Sequence, residues 1–202
     1  MNNLKKNLSG KPAGKKTASS QKVSGPPKTS QRGLVIVITG NGKGKTTSAF
    51  GQALRAVGQG LKVFIVQFMK GRDYGEFVAA EKYLPRLTIL RTGLDSFVMR
   101  DNPAPVDIEL AHRGFALAQK AVASGKYNMV ILDEINVAVD FKLIGLQDLI
   151  DLIKNKPPAV DLILTGRYAP REIIKLADTV SEVKEIKHHY AAGIKDRAGI
   201  EY

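Results

Sequence analysis

The sequence predicts an α/β fold of a single domain, in which a mostly parallel sheet is flanked by helices. From Gly33 onward, short runs rich in β-branched residues alternate with segments of helical period, which is typical of a parallel sheet covered by helices. The chain has 202 residues and is 44% hydrophobic, so it can bury a core of ordinary size. No internal repeat is visible, and we therefore expect one domain over residues 33–202.

Residues 1–32 differ in composition from the rest of the chain. They contain seven Lys and one Arg and no acidic residue, so they supply +8 of the net charge of +12 and leave +4 for the remainder. Few large apolar side chains are present to offset the entropy lost on ordering. We expect a disordered basic tail. The alternative is an arm that attracts nucleic acid or an anionic substrate, although no aromatic residues interleave the charges for base stacking.

Six short runs are predicted strands, because runs rich in β-branched residues alternate with segments of helical period. They cover residues 34–38, 62–67, 87–91, 128–132, 161–165 and 180–183.

Helices are predicted between these strands. Apolar residues recur at three- and four-residue steps over residues 46–57 and 107–124, and Gly58 and Gly125 follow as predicted C-caps. A third helix is expected over residues 146–153. A fourth is expected to begin at Pro170, because proline suits a first helical turn.

A glycine-rich loop joins the first predicted strand to the first predicted helix. Glycines let backbone N–H groups turn inward around a phosphate, and the N-terminus of the following helix favours an anion. In such a loop Lys45 would reach the terminal phosphates and the Thr46 hydroxyl would ligate Mg²⁺. The common form of the motif requires glycine at position 39, so this loop, counted from Gly40, is one residue short. It reads Thr39-Gly40-Asn41-Gly42-Lys43-Gly44-Lys45-Thr46-Thr47.

Two carboxylates, Asp133 and Glu134, follow the apolar run 129–132. Ligands of open parallel sheets bind at the carboxyl ends of the strands, where acidic residues commonly hold Mg²⁺. Alone, this pattern is equally typical of a strand that ends at the surface. Together with the glycine loop, it predicts a nucleotide and metal site.

These motifs resemble those of the ATP:corrinoid adenosyltransferases of the P-loop type, also described as cob(I)alamin or cob(I)yrinic acid a,c-diamide adenosyltransferases. The resemblance covers about residues 32–202 and implies a RecA-like P-loop fold. It rests on the shortened glycine loop together with Arg55, Val66-Gln67-Phe68, Lys70-Gly71, Leu132-Asp133-Glu134, Thr165-Gly166-Arg167, and residues 176–182, 187–188, 192–193 and 199–202.

The resemblance implies a transferase that moves the 5′-deoxyadenosyl group of ATP to the Co(I) of a corrinoid, either cobalamin or cobyrinic acid a,c-diamide, and releases tripolyphosphate. Lys45, Thr46 and Glu134 would be catalytic, and Thr46 and Glu134 would hold Mg²⁺, for which Mn²⁺ could substitute. A flavoprotein reductant, a homodimer and a cytoplasmic location are also implied. The implied nucleotide-binding residues are Gly40, Asn41, Gly42, Lys43, Gly44, Lys45, Thr46, Thr47, Arg55 and Arg167.

The segment expected to meet the corrinoid departs from the family pattern. Family members can place aromatic residues after Thr92-Gly93, whereas this chain reads Leu94-Asp95-Ser96-Phe97-Val98. Leu94 and Phe97 are therefore the candidate corrin contacts, and the alternative is that both are core residues.

Absent residue types restrict the chemistry further. With no Cys, the chain has no disulfides, thiolate metal sites or cysteine nucleophiles, which fits a reducing cytoplasm. No apolar stretch approaches the roughly 18 residues of a membrane span. His188 and His189 are alternative cobalt ligands.

Two rival functional classes would use the same loop. One is a phosphotransferase or NTPase, in which the attack is on phosphorus. The other is an ATPase stimulated by nucleic acid, and the small net charge of residues 33–202 argues against it.

Overall fold

A six-stranded sheet organises residues 31–202, the part of the chain that the computed structural model describes. All neighbouring strands are parallel, in the spatial order β3-β2-β4-β5-β1-β6. The predicted α/β class is confirmed, and every predicted strand lies within one residue of an observed one. The strands are β1 (Val35–Thr39), β2 (Val63–Phe68), β3 (Leu87–Thr92), β4 (Met129–Asp133), β5 (Asp161–Thr165) and β6 (Thr179–Glu182). Apart from residues 31 and 32, the predicted tail lies outside the described residues.

Helices connect the strands, and none in the described part of the chain combines the length and apolar composition that a bilayer crossing requires. The four predicted helices are observed as α1, α3, α5 and α6. The sequence did not predict α2, α4 or a final 3-10 helix. The helices are α1 (Lys45–Gly58), α2 (Gly75–Tyr83), α3 (Pro105–Ala123), α4 (Ile135–Asp140), α5 (Leu146–Asn155) and α6 (Arg171–Leu176), and the 3-10 helix spans His189–Ala192.

The predicted helix ends are partly correct. Gly125 follows α3 with a left-handed backbone (φ 66°), as expected of a C-cap glycine. Gly58 instead forms the last residue of α1, and the left-handed residue beyond it is Gly60 (φ 79°). Pro170 lies at the N-cap of α6, one position before the helix begins.

The sheet separates two apolar cores, because successive residues of a strand point to opposite faces. Val130 and Leu132 of β4 belong to the core that α3, α4 and α5 cover, whereas Met129 and Ile131 belong to the core beneath α1. All five residues of β4 are buried. A strand covered on both faces reads as a continuous apolar run, which explains why the sequence located the strands accurately.

The strand register brings the polar ends of four strands to one edge of the sheet. Gln67 at the end of β2 is paired with Asp133 at the end of β4, and Ile38 of β1 is paired with Thr165 at the end of β5. The glycine loop follows β1 at this same edge. This placement is consistent with the P-loop NTPase-like fold implied by the sequence motifs.

Gly114 allows α3 to pack directly on the end of β3. A Cβ atom at this position would lie 2.5 Å from Thr92 Oγ1 and 2.9 Å from Thr92 Cβ. Thr92 is buried and its hydroxyl donates to the Gln67 carbonyl oxygen at 3.4 Å, so it has little room to move.

We predict that Gly114→Ala lowers the free energy of unfolding by about 1–3 kcal/mol through overpacking. Gly51→Ala is the matched control, because Gly51 is an exposed residue of α1 with no atom near the added methyl group. It should instead raise stability by about 0.5–1 kcal/mol, since alanine favours a helix over glycine. Denaturant titrations of both variants measure the difference, and shifts of the same sign would contradict the packing argument.

Candidate active site at the carboxyl edge of the sheet

The glycine loop has a backbone that other residues would strain. Gly40 and Gly44 have φ angles of 100° and 120°. A Cβ atom on Gly40 would also collide with the backbone of Val183, and the Gly42 N–H donates to the Val183 carbonyl oxygen at 2.8 Å. The loop is therefore held against the segment that follows β6, and glycine at position 40 is a steric requirement.

Lys45 is the first residue of α1 and lies beneath this loop. Its side chain is buried, and Nζ donates to the Gly42 carbonyl oxygen at 2.8 Å. Burial lowers the pKa of Lys45, and the nearby Glu134 carboxylate opposes that shift. The loop thus encloses an ammonium group at the N-terminus of a helix, which is an arrangement suited to binding phosphate.

A cavity of about 530 Å³, which we call the main cavity because it adjoins Lys45 and Glu134, opens beside the loop. Its volume is within the size range of small-molecule sites. It brings together the second half of the loop, Glu134 and several residues that the sequence did not assign to the site. Its polar and charged lining includes Lys43, Lys45, Thr46, Thr47, Lys70, Glu76, Glu134, Glu201 and Tyr202.

Asp133 lies fully buried behind this cavity and accepts four hydrogen bonds. Its Oδ1 accepts from the hydroxyls of Thr46 at 2.9 Å and Thr165 at 2.7 Å, and its Oδ2 accepts from Gln67 Nε2 at 3.1 Å and Lys70 Nζ at 2.8 Å. Burial alone would raise the pKa of Asp133, but the Lys70 ammonium and these donors hold it below its ordinary value. Asp133 is therefore a fixed negative charge whose four acceptor positions are all used.

Glu134 has the opposite character. Its side chain lines the cavity and, within residues 31–202, accepts no hydrogen bond, whereas its backbone N–H donates to Thr165 Oγ1 at 2.9 Å. Burial and the neighbouring Asp133 carboxylate raise the pKa of Glu134. Its backbone is left-handed, with φ at 65°. Such a conformation in a non-glycine residue is costly and is commonly retained at functional sites.

Thr46 and Glu134 fit a magnesium site of the kind that the sequence predicts. Because the Thr46 hydroxyl donates a hydrogen bond to Asp133, the lone pairs of Oγ1 face away from that carboxylate. No group of three or more His, Cys, Asp or Glu side chains in the described part of the chain could form a metal cage. Mg²⁺ commonly uses one or two protein oxygens together with substrate phosphates and water, which agrees with this sparse set of ligands.

Comparison with known proteins gives a consistent result. The family model described as ATP:corrinoid adenosyltransferase BtuR/CobO/CobP matches residues 31–202. The chain belongs to this adenosyltransferase family. It is 39% identical to the corrinoid adenosyltransferase of Escherichia coli (strain K12) over 85% of this chain and 87% of that protein. The corrinoid adenosyltransferase CobA of Salmonella typhimurium is 38% identical with the same coverage, and that of a Sinorhizobium species is 34% identical over 93% and 88%.

Five of the nucleotide residues implied by the family resemblance do not line the main cavity: Gly40, Asn41, Gly42, Arg55 and Arg167. Asn41 and Arg167 line a second cavity of about 590 Å³ on another side of the loop, together with Gly40 and Tyr168. Arg55, in the last turn of α1, lines a groove beside β6. Arg167 is near enough to Lys45 and Glu134 to influence the pKa of both. The roles of Asn41, Arg55 and Arg167 stay predictions.

The candidate corrin contacts of this family member are on the surface. Phe97 is fully exposed and Leu94 is 42% exposed, so the alternative in which both are core residues is wrong. Their segment follows β3 and packs against the segment that carries Lys70, because a Cβ atom on Gly71 would collide with the Leu94 backbone. An exposed aromatic ring therefore lies on a loop that adjoins a wall of the main cavity.

Sequence reasoning missed several residues of the site. Lys70 and Gln67 belong to motifs that support the family resemblance, but nothing in their spacing connected them with Asp133. Glu201 was missed as well. Its Oε2 and the Ile200 carbonyl oxygen both accept from Lys43 Nζ at 2.8 Å, which holds residues 199–202 against the loop. Such contacts between distant segments become visible only in the folded chain.

Proposed function

We propose that this protein transfers the 5′-deoxyadenosyl group of ATP to the Co(I) of a corrinoid and releases tripolyphosphate. ATP-dependent adenosyl transfer to corrinoids is the activity of the family to which the chain belongs. The observation that best supports it is the cavity beside the loop, where Lys43, Lys45 and Lys70 surround the place expected for a triphosphate. In the reaction, Co(I) attacks the ribose C5′ atom, a cobalt–carbon bond forms, and the C5′–oxygen bond breaks with its electron pair retained by tripolyphosphate.

Electrostatic stabilisation of the leaving group is the main task of the protein in this reaction. Negative charge increases on tripolyphosphate as the C5′–oxygen bond breaks, and prearranged cations stabilise that charge without reorganising. Lys45 is well suited because its hydrogen bond to the loop fixes its position. Co(I) carries no proton, so no general base is required.

A magnesium ion would complete the charge balance. We propose that Thr46 and Glu134 hold it, because the side chains of both line the cavity. Within residues 31–202, the one donor to the oxygens that they turn toward the cavity is Lys70 Nζ, 3.5 Å from Thr46 Oγ1. When bound, the ion would neutralise phosphate charge and orient the triphosphate. Asp133 would act indirectly, by orienting the Thr46 hydroxyl.

The corrinoid would approach from the side of Leu94 and Phe97. An apolar group at that place would exclude water and a competing lower ligand from the cobalt. We also propose a flavoprotein reductant, a homodimer and a cytoplasmic location, all of which rest on family resemblance. Asn41, Arg55 and Arg167 are proposed further nucleotide contacts on the same basis.

The reaction and the role of the loop can be tested together. Anaerobic incubation with Mg·ATP and chemically reduced cobalamin should give adenosylcobalamin and tripolyphosphate, whereas release of ADP would indicate attack on phosphorus. Lys45→Met should reduce turnover by about a hundredfold or more, because it removes a charge directed at the leaving group. Lys120→Met, which removes an exposed lysine of α3, is the control. A Lys45 variant with nearly wild-type turnover at saturating ATP would reject the assignment of the loop.

The proposed metal site can be tested through the dependence of activity on Mg²⁺. Glu134→Gln should raise the Mg²⁺ concentration needed for half-maximal activity by about tenfold, because it removes an anionic ligand while preserving shape. Excess Mg²⁺ should then restore part of the activity. Glu109→Gln, on the exposed face of α3, controls for the loss of one charge. An unchanged Mg²⁺ requirement in Glu134→Gln would assign the metal to another carboxylate.

The proposed corrinoid contact can be tested by comparing two oxidation states of cobalt. Phe97→Ala should reduce transfer that starts from Co(II) and a mild reductant by about tenfold, because water and the lower ligand would reach the cobalt. Transfer to pre-reduced Co(I), whose lower ligand is already absent, should change less. Since Phe97 is exposed, the midpoint of thermal unfolding should not move. Tyr83→Ala, an exposed aromatic residue at the end of α2, is the control. Equal losses with both cobalt states would place the corrin-facing group elsewhere.

A further inference from the structure

Lys70 lies at a fixed position on the wall of the main cavity. It follows β2, and its backbone packs so closely on Gly93 that a Cβ atom there would collide with the Lys70 nitrogen. The adjacent Met69 N–H donates to the Thr92 carbonyl oxygen at 3.1 Å. The Lys70 side chain is only 14% exposed, and its ammonium lies 5.1 Å from the centre of the Tyr74 ring. The base of the side chain is thus held by backbone contacts, while its charged end faces the cavity.

The Lys70 ammonium contacts two oxygen atoms at the metal site. Nζ donates to Asp133 Oδ2 at 2.8 Å and lies 3.5 Å from Thr46 Oγ1. Because the Thr46 hydroxyl donates its hydrogen bond to Asp133, only the lone pairs of Oγ1 remain to contact a cation. The lysine and a divalent metal ion would therefore compete for the same lone pairs of Thr46.

Asp133 does not depend on Lys70 alone. Gln67 Nε2 donates to the same Oδ2 atom at 3.1 Å, and the two threonine hydroxyls occupy Oδ1. If Lys70 turned away, Asp133 would keep three donors. An ammonium group has three N–H donors of its own and a flexible stem, so it can exchange a carboxylate for a phosphate oxygen without being left unpaired.

We propose that Lys70 is an exchangeable cation of the nucleotide site, which pairs with Asp133 and Thr46 until a divalent ion takes its place and then donates to the triphosphate. The proposal rests on the metal site of the proposed function. A metal ion at Thr46 would repel a nearby ammonium group, and the triphosphate offers that group a new anionic partner. Lys70 would thus couple the binding of metal to the positioning of the leaving group.

The coupling predicts effects of opposite sign on two ligands measured separately. Lys70→Gln, which keeps a donor for Asp133 but loses the charge, should bind Mn²⁺ about tenfold more tightly when nucleotide is absent, because a competing cation has gone. The same variant should bind tripolyphosphate about tenfold more weakly in the presence of EDTA. Paramagnetic resonance of unbound Mn²⁺ and titration calorimetry measure the two affinities without any turnover.

Three further variants test whether the charge of Lys70 causes both shifts in affinity. Lys70→Met should repeat both shifts, Lys70→Arg should stay close to the wild type in both, and Lys120→Met should change neither. If the two affinities fall together, or neither moves in a folded Lys70→Gln protein, Lys70 serves only to hold Asp133 and the proposal is overturned. A wild-type protein that binds Mn²⁺ no better than Glu134→Gln, even with ATP present, would instead overturn the proposed metal site.

Discussion

The rest of the site depends on the hydrogen bonds that the buried carboxylate of Asp133 accepts. It links the start of α1 through Thr46, the end of β5 through Thr165, and the end of β2 through Gln67 and Lys70. A buried charge is tolerated only when donors satisfy it, and here they come from three separate segments. Asp133 does not itself line the cavity. It nevertheless holds in one arrangement the start of α1 after the glycine loop, the candidate metal ligand Thr46 and the cavity wall that carries Lys70.

The sheet makes this arrangement possible because its strands are parallel. Each strand delivers its last one or two residues to the same edge, so Gln67, Asp133 and Thr165 meet although they are distant in sequence. Left-handed residues then turn the chain at this edge: Met69 follows β2, Glu134 follows β4 and Tyr168 lies after β5. Strain of this kind persists where surrounding structure enforces it, and the buried strands provide that rigidity.

The sequence predicted those parts of the molecule that depend on local pattern. Strands buried on both faces appear as apolar runs, and the loop appears as closely spaced glycines before Lys45. It failed where burial was slight or the element was short: α2 buries only Ala80, and α4 has six residues, too few to show a helical period. The grouping of Lys70, Gln67 and Asp133 depends on strand register, which no local pattern reports.

The triphosphate side and the proposed corrinoid side of the site differ in how directly a sequence pattern encodes them, and the reason is again physical. Recognition of a triphosphate needs backbone N–H groups, a lysine and a carboxylate in fixed positions, and a glycine loop between a strand and a helix encodes these directly. Recognition of a corrin face needs only apolar surface of suitable shape, which many side chains can supply. Under the proposed function, Phe97 and Leu94 would supply this apolar surface without repeating a residue pattern. Their loop packs on the Lys70 segment through Gly71 and Gly93, so the two substrates would meet across one rigid wall.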